Sequence, residues 1–153
     1  MRRPCHLLLL LLCITVLPGT LAAQTLARAG VVKHVSGTVT VQRGAQPQAL
    51  ALGNAVFVGD VIRTASNGMT AITLADDTAL TAGPNSELVV SEFAFDSTTQ
   101  DGGMLVSLWK GTLAVISGLI AKTSPDKVKV QTRTVVLGVR GTEFIVDAGE
   151  GTR

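Results

Sequence analysis

The chain has 153 residues, with 13 Lys+Arg, 11 Asp+Glu, two cysteines and 46% hydrophobic residues. That length holds at most one ordinary domain, the apolar content excludes a disordered chain, and a formal net charge of +2 excludes a dedicated nucleic-acid binder. The charge excess is also local: Arg2 and Arg3 account for it, and both cysteines, Cys5 and Cys13, fall in residues 1–23.

Those first residues have the secretory pattern. Arg2-Arg3 forms a positive start, Leu7 to Leu17 an apolar run broken only by Thr15, and Pro18-Gly19 a helix stop before the small pair Ala22-Ala23. The run is about 11 residues, whereas a spanning helix needs roughly 20. Leu12 before Cys13 is not the small residue that a lipidated cysteine requires. Cleavage is expected after Ala23, with Ala22 as the close alternative, leaving residues 24–153 as one domain and no transmembrane helix. This remainder is formally neutral and free of cysteine, and His34 is its only histidine. Its stability must come from packing and turns.

From residue 24 onward the period is two rather than 3.6, which predicts an all-β fold. Val39 and Val41 alternate with Thr38, Thr40 and Gln42. Ile72 and Leu74 flank Thr73, while Met69 and Ala71 blur the other face. Met104, Val106 and Leu108 oppose Leu105, Ser107 and Trp109, predicting a strand covered on both faces. Ser117 to Lys122 suits one short helical turn. Val128 and Val130 alternate with Lys127, Lys129 and Gln131, predicting one face in water, and Phe144 and Val146 alternate with Glu143, Ile145 and Asp147. Gly53-Asn54, Gly59-Asp60, Asn67-Gly68, Asp76-Asp77 and Gly83-Pro84-Asn85 punctuate these runs, and Asp96 to Gly103 reads as an exposed loop. Asn67-Gly68 predicts a tight turn at positive φ. Phe57, Phe93, Phe95, Trp109 and Phe144 are expected as core anchors. Strands this short, with turns this frequent, form a sandwich, a barrel or a solenoid.

An ordered set of motifs from Val35 to Val146 resembles the FecR domain, the periplasmic module named after the ferric-citrate signal transducer. Val35-Ser36-Gly37-Thr38-Val39 resembles its opening strand. Leu52-Gly53-Asn54, then Gly59-Asp60-Val61-Ile62-Arg63-Thr64, resembles its glycine turn and Gly-Asp strand. Asn67-Gly68 with Ile72-Thr73-Leu74-Ala75-Asp76, Gly83-Pro84-Asn85, Trp109-Lys110-Gly111, and Gly138-Val139-Arg140-Gly141-Thr142 follow in the family's order. The resemblance implies an all-β, solenoid-like or sandwich-like stack. It also implies a periplasmic or secreted, non-enzymatic module for protein–protein interaction or signalling in the cell envelope, without a cofactor. The signature positions it carries over are Gly53, Gly59, Asp60, Asn67, Gly68, Asp76, Trp109, Gly111, Gly138, Arg140, Gly141 and Thr142. Three departures stand out. The family's Asp-Gly is Asp76-Asp77 here, a signal segment replaces the transducer's cytoplasmic segment and membrane helix, and the chain stops at Arg153 where the family continues, so the domain reads as C-terminally truncated.

The residue chemistry favours scaffolding over catalysis. Gly59-Asp60 is ordinary turn chemistry, and no calcium-loop spacing surrounds Asp76-Asp77. One histidine without cysteines cannot make a transition-metal site, and no nucleophile elbow presents a serine. Arg140 is expected to pin neighbouring turns through carbonyls or an internal carboxylate such as Asp60; its other reading is an anion contact. Lys127 and Lys129 at even spacing form a solvated strand face, and with Arg140 they are the candidate contacts for an anionic small ligand or cell-wall glycan, the alternative function.

Overall fold

In the computed structural model, residues 26–149 are described; the expected signal segment, residues 1–23, lies outside them, as does the end of the chain, residues 150–153. The described residues form strands β1 (Arg28–Ser36), β2 (Val39–Gln42), β3 (Pro47–Ala49), β4 (Ala55–Phe57), β5 (Val61–Thr64), β6 (Met69–Leu74), β7 (Ala79–Ala82), β8 (Glu87–Phe95), β9 (Gly102–Lys110) and β10 (Thr112–Ile116). A short helix α1 (Leu119–Thr123) and a 3-10 turn (Pro125–Lys127) then lead into β11 (Val128–Gln131), β12 (Val136–Gly138) and β13 (Glu143–Asp147). The expected all-β fold is borne out.

Two sheets face each other. One is six-stranded, in the order β13-β10-β7-β6-β1-β4, and the other seven-stranded, in the order β12-β11-β9-β8-β5-β2-β3. Past β1 and β2, strand number rises steadily across each sheet toward one end. The chain therefore winds along the stack, crossing repeatedly from one layer to the other. β12 and β13 close that end, one in each sheet.

The period-two pattern chooses the inward face. Val39 and Val41, Ile72 and Leu74, Leu80, Leu88 and Val90, Val106 and Leu108, Leu113 and Val115, Val128 and Val130 are all buried. Their alternate neighbours lie outward, as the burial pattern of β6 (Thr70, Ile72 and Leu74 in; Met69 out) illustrates. Each buried aliphatic side chain contributes roughly 1.5–3 kcal/mol relative to exposure. The expected aromatic anchors are a correction: Phe57, Phe93, Phe95, Trp109 and Phe144 are all half-buried, and of these Phe93, Phe95 and Phe144 pack against the margin of an aliphatic core. Strands that stack within one narrow interior favour branched aliphatics, which fill the space between close layers better than rings do.

Along one side of the sandwich the crossings stack on each other like rungs. The amide of Ala65 donates to the Thr38 carbonyl at 3.0 Å, Asn85 to Ala65 at 3.1 Å, Gly83 to Thr112 at 3.0 Å, and Ala148 to Gly111 at 2.9 Å. This explains a second correction. Asn67-Gly68 does not close a hairpin but carries the chain from β5 in one sheet to β6 in the other, and neither residue has a positive φ. Glycine is needed at 68 for space, because a Cβ there would overlap the Thr38 carbonyl oxygen on the next rung.

Candidate functional site

The signature residues fall into two groups. Members of the first are occupied inside the fold. Asp60 is 1% exposed, and its carboxylate accepts from Arg43 Nε at 2.7 Å, Arg43 Nη2 at 2.6 Å and the Phe57 amide at 2.9 Å. The Arg43 guanidinium also lies 4.2 Å from the centroid of the Phe57 ring. Its bonds to Asp60 raise its already high pKa, against the opposing effect of burial. Asp60 thus closes back on the Phe57 amide three residues earlier, and its guanidinium partner is Arg43, not Arg140. Arg43 sits at the end of β2, where no alternation or motif marks it, so the sequence carried no signal for it.

Asp76 is fully buried and organises a second junction. Its carboxylate accepts from the Thr78 amide (3.1 Å), the Thr78 hydroxyl (2.7 Å) and the Ile120 amide (3.4 Å), while the Leu119 amide donates to its carbonyl at 2.7 Å. The Gly118 amide donates to Thr78 Oγ1 at 3.0 Å. Asp76 therefore ties the β6–β7 hairpin to the start of α1, across about 40 residues of chain. Asp77 takes φ +65°, the conformation for which the resembling family uses glycine. Gly53, Gly59 and Gly111 also have positive φ, and Gly111 turns the chain between β9 and β10 against Ser86. Ser86 Oγ donates to the Thr112 carbonyl (3.1 Å) and receives the Thr112 amide (3.0 Å), and Trp109 is half-buried beside this corner.

The second group has no such employment. Gly138, Arg140, Gly141 and Thr142 form the arch from β12 to β13 and are all exposed. Gly138 and Gly141 have neither positive φ nor any atom within 4 Å of where a Cβ would stand. Arg140 makes no hydrogen bond or ion pair among the described residues. The arch is held through its main chain: Val139 donates its amide to the Val128 carbonyl at 3.2 Å, and Ser117 donates its amide to the Thr142 carbonyl at 2.8 Å and its hydroxyl to the Gly141 carbonyl at 2.9 Å.

Among the described residues, β12 pairs only with β11 and β13 only with β10, so the arch stands between two sheet edges that no described strand covers. The bonds Thr132 N to Val135 O and Val139 N to Val128 O point the backbone of Val135, Leu137 and Val139 inward, so Val136 and Gly138 direct N–H and C=O away from the sheet. By the same count Glu143, Ile145 and Asp147 face outward on β13. Large apolar side chains are exposed here: Val135 at 49%, Val136 at 56%, Leu137 at 38% and Ile145 at 72%.

The cationic candidates are placed differently. Lys127 and Lys129 line an open groove of about 640 Å³ beside β8 and β9, and Arg140 is not among its lining residues. Glu92 and Asp126 line it as well, so its charge is balanced. Lys127 is engaged by Asp101, at 3.0 and 3.2 Å from its two carboxylate oxygens. Asp101 also accepts from Ser124 Oγ at 2.6 Å. Ser124 first, then Lys127 and the Gly102 amide, pull the Asp101 carboxyl down to about 2. His34 is exposed near the end of β1, beside a register shift. No group of three or more His, Cys, Asp or Glu suited to a metal ion occurs among the described residues, and no helix among them is long and apolar enough to cross a membrane.

Compared with known families, residues 60–153 match the model described as FecR protein. That is more than half of the chain, and the chain belongs to this family, whose setting is signalling at the cell envelope. No curated protein and no solved structure matches.

Proposed function

We propose that this chain is an exported, non-catalytic FecR-like module that works by protein–protein contact in the cell envelope, as a single domain from residue 24 onward. Its contact surface is the end of the sandwich built by β12, the Gly138–Thr142 arch and β13. One observation carries the reading. Among the described residues, the signature residues of the arch make no side-chain hydrogen bond, and they sit between two unpaired edges flanked by exposed Val136 and Ile145. Free edges offer main-chain hydrogen bonds to an added strand, and alternate side chains on either side set its identity. Export follows from the pattern of residues 1–23, and the periplasm or the medium is the expected compartment.

The test places a photo-activated cross-linking residue at Val136, Ile145 or, as a control, Thr40, in cells that make the protein. Adducts heavier than the chain, in the envelope fraction, are expected from positions 136 and 145 but not from 40. Equal labelling from all three positions, or none from the first two, would remove this end as the contact surface. Amino-terminal sequencing of the same material should begin at Gln24 or Ala23; a start at Met1 would remove the export step.

The alternative, binding of glycan or a small anion by Lys127, Lys129 and Arg140, has weaker support. The groove holds two of these cations with two carboxylates, and one of the two is already paired.

A further inference from the structure

We infer that the partner at this end is a second copy of the same chain, with β12 of each copy pairing to β13 of the other. The inference rests on reading the end as a contact surface and names what covers it. The charge pattern selects the arrangement. β12 lies in an uncharged stretch, Thr134 to Val139, bracketed by Arg133 and Arg140. β13 is the reverse: Phe144-Ile145-Val146 bracketed by Glu143 and Asp147. All four charged residues are exposed.

Closed dimers use a two-fold axis, so one surface must complement itself. Two such axes can join the ends. An axis normal to the sheets sets β12 against β12 and β13 against β13, both antiparallel. That brings Arg133 toward the partner's Arg140 and Glu143 toward the partner's Asp147, so like charges meet at both edges. An axis along the strands sets β12 against the partner's β13. The short arch reverses the chain between β12 and β13, so this pairing is also antiparallel, and every charged bracket meets its opposite.

The backbone parity fits this second axis. Val136 and Gly138 direct their N–H and C=O outward, as do Glu143 and Ile145. Placing Val136 opposite the partner's Ile145 puts Gly138 opposite Glu143 and Thr134 opposite Asp147, all in hydrogen-bonding register. Leu137 then faces Phe144 on the inner side, where both are only partly covered in the single chain. Val136 meets Ile145 on the outer side, covering two of the most exposed apolar side chains. Arg140 lies two residues beyond Gly138, on the same face, and reaches Glu143 diagonally. Both sheets become continuous through the dimer, and neither keeps an open edge at this end.

The test measures the mass of the purified chain by light scattering and sedimentation from about 1 µM to about 1 mM, at low and high salt. A monomer–dimer equilibrium that weakens with salt is expected. Val136→Pro removes an outward N–H without touching a bond to β11 and should abolish the dimer while the fold is kept, as checked by circular dichroism. Arg140→Glu and Glu143→Arg should each weaken association about tenfold or more, and the double variant should restore it to within about threefold, since the swapped charges face each other again. A chain that stays monomeric throughout would overturn self-pairing. Cross-linking from positions 136 and 145 to a different protein would then still support the end as a contact surface, whereas its absence would remove both. A dimer indifferent to all of these changes would place the interface elsewhere and equally overturn the inference.

Discussion

Replacing Arg43 by Ala leaves behind a carboxylate that is 1% exposed and has lost two of its three hydrogen bonds. Removing one partner of a fully buried ion pair costs about 3–5 kcal/mol. The Arg43 side chain is 38% exposed, so water reaches the space it vacates, and about 2–3 kcal/mol is expected here. That figure includes roughly 0.5–1 kcal/mol for the contact of the guanidinium with the Phe57 ring. Asp60→Ala should cost less, about 1–2 kcal/mol, because Arg43 can turn to solvent and only the Phe57 amide loses its acceptor. The double variant should cost about the same as Arg43→Ala alone, giving a coupling of about 1–2 kcal/mol. Urea unfolding at neutral pH measures all four corners of the cycle, read from midpoints at constant slope. Costs that add to within about 0.5 kcal/mol, or a larger loss from Asp60→Ala than from Arg43→Ala, would refute the assignment of Asp60 as a buried anion held by Arg43.

Asp77→Gly should raise stability by up to about 1 kcal/mol, the relief of a positive φ less the entropy that glycine adds to the unfolded chain; a loss in thermal unfolding would contradict the strained turn. Gly118→Ala should destabilise by about 2 kcal/mol or more, since its Cβ would overlap the Asp76 carbonyl oxygen and crowd the Thr78 amide. The same change at Gly138 or Gly141, where nothing lies within 4 Å, should stay within about 0.5 kcal/mol. Acid should open the clasp of Asp101 on Ser124 and Lys127. Its folded carboxyl is lowered from 3.8 to about 2, so the clasp contributes fully above the ordinary value and is lost as pH falls through the folded one. Amide resonances of Gly102 and Ser124 should shift with a midpoint near that lower value; a midpoint near 3.8 would remove the clasp.

Much of the fold was legible because burial follows period two. Val39 and Val41, Ile72 and Leu74, and Val128 and Val130 point inward as their alternation requires. The helical turn expected at Ser117 to Lys122 appears as α1, shifted to Leu119–Thr123. What failed depended on which strands share a sheet. Asn67-Gly68 has the local chemistry of a hairpin, yet its flanking strands lie in opposite layers, a fact fixed by distant pairings with β1 and β8. The aromatics were misplaced because ring size says nothing of layer spacing. Arg43 stayed hidden because its partner is 17 residues away and its own strand gives it no pattern. At the candidate site, the Gly138–Thr142 motif was visible by resemblance alone. That nothing crowds its glycines, Gly138 and Gly141, is a property of the folded arch and leaves no mark in the motif.

The rising strand number across both sheets bears on how the chain assembles. From β3 onward, every strand has a neighbour that precedes it in the chain: β6 finds β1, β8 finds β5, β10 finds β7, β11 finds β9 and β13 finds β10. A polypeptide delivered amino end first, from a ribosome or through a translocation pore, can therefore add each segment to a partner already in place. Even the parallel pairing of β11 with β9, which needs a long crossover, has its template ready when the last third of the chain arrives. Such vectorial growth keeps the exposed growing edge short-lived everywhere except at the final pair, where nothing further in the described chain arrives to cover it.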